Sequence, residues 1–125
     1  MIFKDKMVAV TGGAQGIGKC CAECFAREGA TVHVIDIKDG PWFVGDLSDK
    51  VTLERFATDV IAKSGHVDVL VNNAMPLFKG IDECTYEEFA YASRSRLIPF
   101  VEYPIIQKRK NRTRGSFGGR KPPRP

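Results

Sequence analysis

The fold of this chain is decided by one stretch, Met7-Val8-Ala9-Val10-Thr11-Gly12-Gly13-Ala14-Gln15-Gly16-Ile17-Gly18. Its first five residues are a short apolar run that ends in glycines, which predicts a buried strand. We expect a helix from Gly16 to about Glu28, with Gly29 after it as the stop signal. The residues that recur at helical spacing, and so form its predicted inner face, are Ile17, Cys21, Cys24 and Phe25.

The glycines of this turn have the spacing of a dinucleotide-binding site. Gly12 allows a tight turn, Gly16 lets the backbone approach a pyrophosphate, and Gly18 lets helix and strand pack closely. The start of the helix offers free N–H groups and the positive end of its dipole to phosphates. Because a strand precedes the glycines and a helix follows them, the pattern predicts a dinucleotide site.

A second apolar strand, Thr31–Asp36, ends in a carboxylate. Asp36 in this position can accept hydrogen bonds from the adenosine ribose and repel a 2′-phosphate. The alternative is an ordinary aspartate at a strand end, and the glycine turn favours the ribose role. The next residue is Ile37 and the turn carries Gln15, so neither position is basic. We therefore predict NAD as the cofactor in preference to NADP.

Further elements follow at regular intervals. We expect a brief strand over residues 42–44, a helix over 49–64 capped by Ser48 and followed by Gly65, and a strand over 67–71. Thr85 and Glu88 fit a capping box, which predicts the start of another helix. The predicted inner face of the helix over 49–64 consists of Val51, Phe56, Val60 and Ile61.

Alternating strands and helices predict an α/β fold with a partial Rossmann-type parallel sheet in the order 3-2-1-4. The link from residue 37 to residue 41 is too short for a helix, so we expect a loop between the second and third strands. The predicted domains are an NAD-binding half-domain at 1–92 and an irregular, disordered basic tail at 93–125.

Three motifs together resemble the short-chain dehydrogenase/reductase family. They are Thr-Gly-x-x-x-Gly-x-Gly from Thr11, Gly-Asp-Leu-Ser-Asp from Gly45, and Asp-Val-Leu-Val-Asn-Asn-Ala from Asp68, in the family's order and spacing. The resemblance implies an oxidoreductase that transfers hydride between a nicotinamide cofactor and an alcohol or carbonyl compound.

The resemblance also implies roles for single residues. Asp46 would bond the adenine amino group, with the Leu47 backbone facing the ring, and Asn72, Asn73 and Ala74 would steady the strand end beside the adenosine ribose. The alternatives are a helix-capping carboxylate for Asp46 and a turn-forming asparagine pair. The cofactor-binding set predicted from the motifs is Thr11, Gly12, Gln15, Gly16, Ile17, Gly18, Asp36, Asp46, Leu47, Asn73, Ala74 and Met75.

The sequence also departs from the family pattern. Met75 stands where the family usually has glycine, and residues 91–97 contain no asparagine where the family has one. The family's catalytic Ser and Tyr-x-x-x-Lys are missing, because each tyrosine is followed four residues later by something other than lysine: Ala90, Ser95 or Gln107. A tyrosine near pKa 10 needs such a neighbour to act at neutral pH. We predict no catalytic residues here, and expect the chain by itself not to transfer hydride.

Composition excludes several classes of protein. The hydrophobic fraction of 43% and the charged fraction of 27% are those of an ordinary soluble globular domain, and no run of residues is long and apolar enough for a membrane span. The first residues, Met-Ile-Phe-Lys-Asp-Lys, form neither an apolar h-region nor a small-residue cleavage site, so we expect no secretory signal and a cytoplasmic protein. Three of the four cysteines crowd one helix, which argues against a disulfide framework or a metal site; we expect reduced thiols acting as small apolar side chains.

Charge divides the chain into two regions. Residues 1–93 contain nine Lys or Arg and fourteen Asp or Glu, a net charge of −5, whereas residues 94–125 contain ten basic residues and one acid, a net charge of +9. The basic segment is either a nucleic-acid-binding arm or the product of a frameshift or truncation. We favour the second, because the family pattern stops within an element, and we do not expect a nucleic-acid partner. Intact relatives are expected to be homo-oligomers, and an unpaired edge on the fourth strand predicts self-association of this chain.

Overall fold

The computed structural model describes residues 1–75 and 82–101, with residues 95–101 described by their backbone. Its elements, in chain order, are β1 Met7–Thr11, α1 Gly16–Arg27, β2 Thr31–Asp36, β3 Phe43–Val44, α2 Lys50–Ser64, β4 Val69–Asn72 and α3 Tyr86–Val101. The basic tail predicted for 93–125 lies, from residue 102 onward, outside the described residues.

The four strands form one parallel sheet in the order β3-β2-β1-β4. This confirms the Rossmann-type fold and its strand order, and a loop joins β2 to β3 as expected. Thr11 at the end of β1 pairs with Ile35 on one side and Asn72 on the other, and Asp36 pairs with Val44. The carboxyl ends of all four strands therefore lie at the same edge of the sheet.

The core lies between the sheet and α2. Apolar side chains of α2 pack on Ala9 and Ile35, and the Phe56 ring lies 5.4 Å from the Phe43 ring, centre to centre. Val8 and Val10, which alternate with Ala9 along β1, are fully buried on the other face. Helix α1 contacts β1 and β2, as expected when right-handed crossovers in opposite directions cover both faces of a sheet.

The inner faces of both helices differ in part from the sequence prediction. Ile17 of α1 is 76% exposed and Val51 of α2 is 57% exposed. Gly18, which has no side chain, is the buried residue of α1, so the helix lies close to the sheet and Ile17 is turned away from it. The face of α2 that meets the sheet is set by the residues that are buried, Leu53, Phe56, Ala57 and Val60.

The cysteines are all free thiols, as predicted, but their packing is not what we expected. Cys20 and Cys24 are exposed, and Cys21 and Cys84 are partly exposed. The predicted place of Cys24 on the inner face of α1 is therefore wrong, because Cys24 lies on the exposed side of the helix. The Arg27 guanidinium donates a hydrogen bond to the Cys24 sulfur at 3.1 Å.

The residues that cap α2 and α3 agree only in part with the sequence prediction. Asp49, and not Ser48, caps α2: its side chain accepts from the Val51 N–H, and Gly65 ends the helix with a φ of +75°. The capping box of α3 is present, since Thr85 N donates to the Glu88 carboxylate at 2.9 Å and Glu88 N donates to the Thr85 hydroxyl at 3.2 Å.

Helix α3 is longer than expected. We predicted an irregular chain from residue 93, yet the helix runs through Pro99 to Val101. A proline removes one N–H donor and strains the turn before it, but only two residues of α3 follow Pro99, so little of the helix lies beyond the strained turn. The irregular region therefore does not include residues 93–101.

Candidate functional site

A cavity of about 930 Å³ opens at the carboxyl ends of the strands. In open parallel sheets this crevice is where ligands bind, and the volume falls within the range of small-molecule sites, roughly 300–1,000 Å³. Its lining comes from the glycine turn, the ends of β2, β3 and β4, and helix α3: Gly12, Gln15, Gly16, Ile17, Asp36, Ile37, Gly45, Asp46, Leu47, Asn73, Ala74, Met75, Cys84, Glu87, Glu88 and Tyr91.

Two glycines of the turn, Gly12 and Gly18, are packed so tightly that neither can carry a side chain. Gly12 has a φ of +67°, and a Cβ there would lie 2.8 Å from the Ala74 Cα. A Cβ on Gly18 would overlap the Gly12 carbonyl and the Asn73 amide. At Gly16, with a φ of +58°, a Cβ would have no heavy atom within 4 Å, because this glycine opens into the cavity. Gly16 is thus the point where a ligand can approach the backbone.

The first turn of α1 leaves its N–H groups without a capping side chain. Gln15 is the N-cap residue, its side chain makes no cap hydrogen bond, and the first turn carries no acidic residue. Free N–H groups and the positive end of the helix dipole therefore face the cavity at Gly16 and Ile17. This arrangement fits a diphosphate group, whose oxygens are anionic acceptors.

The Asp36 carboxylate lies directly over the glycine turn. Its Oδ2 accepts a hydrogen bond from the Ala14 N–H at 3.0 Å, and its Oδ1 accepts from the Lys38 N–H at 3.0 Å. The first bond joins residues 22 positions apart and holds the end of β2 against the turn. An ionised carboxylate accepts and never donates, so this group suits the hydroxyls of a ribose.

The Asp46 carboxylate, two residues after β3, also lines the cavity and is bonded by Ser48 and Tyr91. Its Oδ1 accepts from the Ser48 N–H at 2.9 Å, and its Oδ2 accepts from the Tyr91 hydroxyl at 2.9 Å. Burial acts to raise the pKa of this carboxyl, but the bonds from Ser48 and Tyr91 outweigh burial, so the pKa lies below its usual value. Since Asp49 caps α2, the alternative role of Asp46 as the cap of that helix does not apply.

The Asn-Asn-Ala segment after β4 is bound to the glycine turn. The Thr11 hydroxyl oxygen accepts from both Asn73 N and Ala74 N at 3.0 Å, and lies 3.3 Å from the Asn72 side-chain oxygen. The Asn73 amide donates to the Gly12 carbonyl at 3.1 Å. This network fixes the floor of the cavity. Met75, in the place where glycine is usual, lines the cavity with a side chain that is 63% exposed.

Ten of the twelve residues predicted from the sequence line the cavity, and Thr11 and Gly18 lie behind it. Thr11 is fully buried and Gly18 is buried against the turn, so both support the lining without reaching a ligand. The prediction missed the lining residues Ile37, Gly45, Cys84, Glu87, Glu88 and Tyr91.

A signal for the four missed residues near α3 was present in the sequence. Counted from Cys84, the other three follow at three positions (Glu87), four positions (Glu88) and seven positions (Tyr91), which is the spacing of one helix face. Nothing local indicated that this face would meet Asp46, because that contact joins residues 45 positions apart.

Within 1–75 and 82–101, no group of three or more His, Cys, Asp or Glu side chains is placed to hold a metal ion. The helices of the same residues also lack the length and apolar character that a bilayer crossing requires.

The chain is similar to known oxidoreductases. A model of the short chain dehydrogenase family matches residues 6–92. Momilactone A synthase from Oryza sativa subsp. japonica is 33% identical over 115 residues, which covers 77% of this chain and 42% of that protein. An apo SCOR enzyme from Clostridium thermocellum is 34% identical with a TM-score of 0.74, over 85% of this chain and 48% of that one.

A short chain dehydrogenase from Burkholderia cenocepacia, solved in complex with NADP, shares the fold with a TM-score of 0.77 at 22% identity, over 89% of this chain and 52% of that one. The chain thus spans about half, or less, of the length of each of these proteins. The family match covers most of the chain and includes the glycine turn, Asp36, Asp46 and the Asn-Asn-Ala segment. The chain belongs to the short-chain dehydrogenase family, and its described residues form that family's nucleotide-binding fold.

Proposed function

We propose that residues 1–92 are the NAD-binding portion of a short-chain oxidoreductase. The observation that carries the proposal is the meeting, at one cavity, of the uncapped start of α1 and the Asp36 carboxylate that bonds the Ala14 N–H. The diphosphate would bind at the amides of Gly16 and Ile17, and Asp36 would accept from the adenosine ribose. The adenine would lie between Asp46 and Leu47 on one side and Ile37 on the other.

The charges in the cavity support NAD as the preferred cofactor. Among the described residues, the lining includes the acidic side chains of Asp36, Asp46, Glu87 and Glu88, and neither lysine nor arginine. A 2′-phosphate would add negative charge next to Asp36 at a site with no basic lining residue. Lys38 lies outside the lining, and its Nζ is 3.4 Å from the Gln15 side-chain oxygen.

The reaction of intact relatives would be hydride transfer to or from an alcohol or carbonyl compound. The bound nicotinamide supplies the hydride chemistry. This chain's residues would bind and orient the cofactor, and with no Tyr-x-x-x-Lys sequence the chain by itself would not catalyse transfer. The cytoplasmic location and the self-association expected from the sequence stay predictions.

Calorimetric titration with NAD, ADP-ribose and NADP tests the proposal. We expect NAD and ADP-ribose to bind with similar affinity and NADP to bind at least about tenfold more weakly, a difference of about 1.4 kcal/mol. Asp36→Asn keeps an acceptor for the Ala14 N–H and removes the charge, so it should reduce the preference for NAD. Asp39→Asn removes the same charge from an exposed position outside the cavity lining and should leave the preference unchanged. Folded protein that binds neither NAD nor ADP-ribose would refute the proposal.

A further inference from the structure

Helix α3 contributes a hydroxyl group to the wall of the cavity formed by the end of β3. The Tyr91 hydroxyl donates to Asp46 Oδ2 at 2.9 Å, and the Ser48 N–H donates to Oδ1 at the same distance. Each oxygen of the carboxylate thus has a donor from a different part of the chain, α3 or the loop before α2, and the Ser48 hydroxyl bonds the same carboxylate. Donors on both oxygens restrict rotation of the carboxylate, and without Tyr91 the remaining donors would all come from Ser48.

An ionised carboxylate has about four lone-pair sites, and the Ser48 N–H, the Ser48 hydroxyl and the Tyr91 hydroxyl use three of them. Asp46 lines the cavity beside Leu47, so its remaining acceptor capacity is available to a ligand. Because an ionised carboxylate has no proton to donate, it binds an amino group and repels a carbonyl oxygen at the same place. A donor bonded to the ionised form favours that form, and the pKa of Asp46 is accordingly low.

We propose that Tyr91 is a positioning residue, which fixes the Asp46 carboxylate so that it selects a purine with an amino group at its 6-position over a purine with a carbonyl oxygen there. The inference rests on the proposed binding of an adenine dinucleotide in this cavity. It adds a specificity role for α3 that none of the three sequence motifs contains.

The position of Tyr91 supports a role at the cavity. It shares one face of α3 with Glu87 and Glu88, and all three line the cavity. The next residue, Ala92, is 5% exposed, so α3 is anchored in the fold at this turn. Tyr86 belongs to the same helix but is 81% exposed and lies outside the lining, which makes it a matched control.

The test compares NAD with nicotinamide hypoxanthine dinucleotide, in which a carbonyl oxygen replaces the adenine amino group. Calorimetric titration of the wild-type chain should give a preference for NAD of about tenfold to a hundredfold, the range expected for one hydrogen bond to a charged group. Tyr91→Phe, which removes the hydroxyl alone, should reduce this preference at least about threefold. Tyr86→Phe should leave it unchanged.

The ratio of the two affinities separates positioning from a structural effect, because partial unfolding weakens both ligands equally. A wild-type preference that Tyr91→Phe retains in full would overturn the role of Tyr91 and leave the proposed function intact. Failure of the wild-type chain to bind either dinucleotide would overturn the proposed function itself.

A second readout needs no variant. In a carbon-13 NMR titration of the wild-type chain, the Tyr91 ring carbon that bears the hydroxyl should shift as the Asp46 carboxyl takes up its proton. A Tyr91 signal that stays constant through that titration would contradict the inference, even if Tyr91→Phe failed to fold.

Discussion

Gly16 and Gly65 offer a matched pair of substitutions that tests the ligand site against backbone strain. Both have positive φ, +58° and +75°, and at both a Cβ would meet no heavy atom within 4 Å. They differ in place, because Gly16 lines the cavity, whereas Gly65 ends α2 and lies outside the lining. Replacing either by alanine therefore imposes similar strain, and only one replacement puts a methyl group where a ligand would bind.

The expected magnitudes follow from that geometry. A side chain in the left-handed region costs about 1–2 kcal/mol, so each variant should lower Tm by roughly 4–8 °C for each kcal/mol lost. A methyl group at Gly16 would also hold the diphosphate away from the first-turn amides. Loss of one bond between an N–H and a charged oxygen costs about 1.5–3 kcal/mol, which raises the Kd for NAD about tenfold to a hundredfold.

Thermal melts and NAD titrations on the two alanine variants give the result. The emission of Trp42, the single tryptophan of the chain, can follow both measurements. We expect equal falls in Tm, with NAD affinity lost in Gly16→Ala and kept in Gly65→Ala. The reasoning fails if Gly16→Ala binds NAD as well as the wild type does, or if both variants lose affinity to the same extent.

Three further predictions concern stability and association. Replacing Phe56, which is 1% exposed in the core beside α2, by alanine should lower the free energy of unfolding by about 3–5 kcal/mol. An unchanged urea midpoint would contradict the core assignment. Burial and the charge of Lys63 lower the pKa of His33, against a smaller opposite effect of Asp59. Because the unfolded chain then binds a proton at His33 more readily than the folded chain does, the contribution of His33 to stability should be fully present above about pH 6.5 and be lost as the pH falls below it. His33→Gln should remove this dependence from melts between pH 7.5 and 5. No strand of the described residues pairs with the outer edge of β4, so sedimentation should show association that increases with protein concentration. A chain that stays monomeric at every concentration would contradict this prediction.

Much of the fold could be predicted from local patterns. The apolar runs of β1 and β2, the stop signals at Gly29 and Gly65, and the capping box at Thr85 each act over a few residues and appear where expected. The parallel order 3-2-1-4 then follows from short connections and right-handed crossovers. One error was a local choice between similar signals, since Asp49 and not Ser48 caps α2.

The candidate site likewise has a part that could be predicted from local sequence and a part that could not. The glycine turn and Asp36 could be predicted because strand, turn and helix are consecutive, and each glycine has its own steric requirement. The wall contributed by α3 could not, because helical spacing defines a face without indicating what it will meet.

By itself, the sequence determined the elements, their order in the sheet and the chemistry of the turn, because hydrogen bonds and sterics between near neighbours along the chain control them. Tertiary structure alone decided that Asp36 bonds the Ala14 N–H across 22 positions, that Asn73 holds the Gly12 carbonyl across 61, and that Tyr91 holds Asp46 across 45. Such contacts form when packing of the sheet and helices brings distant segments together, and a hydrogen bond only a few tenths of an ångström too long is lost.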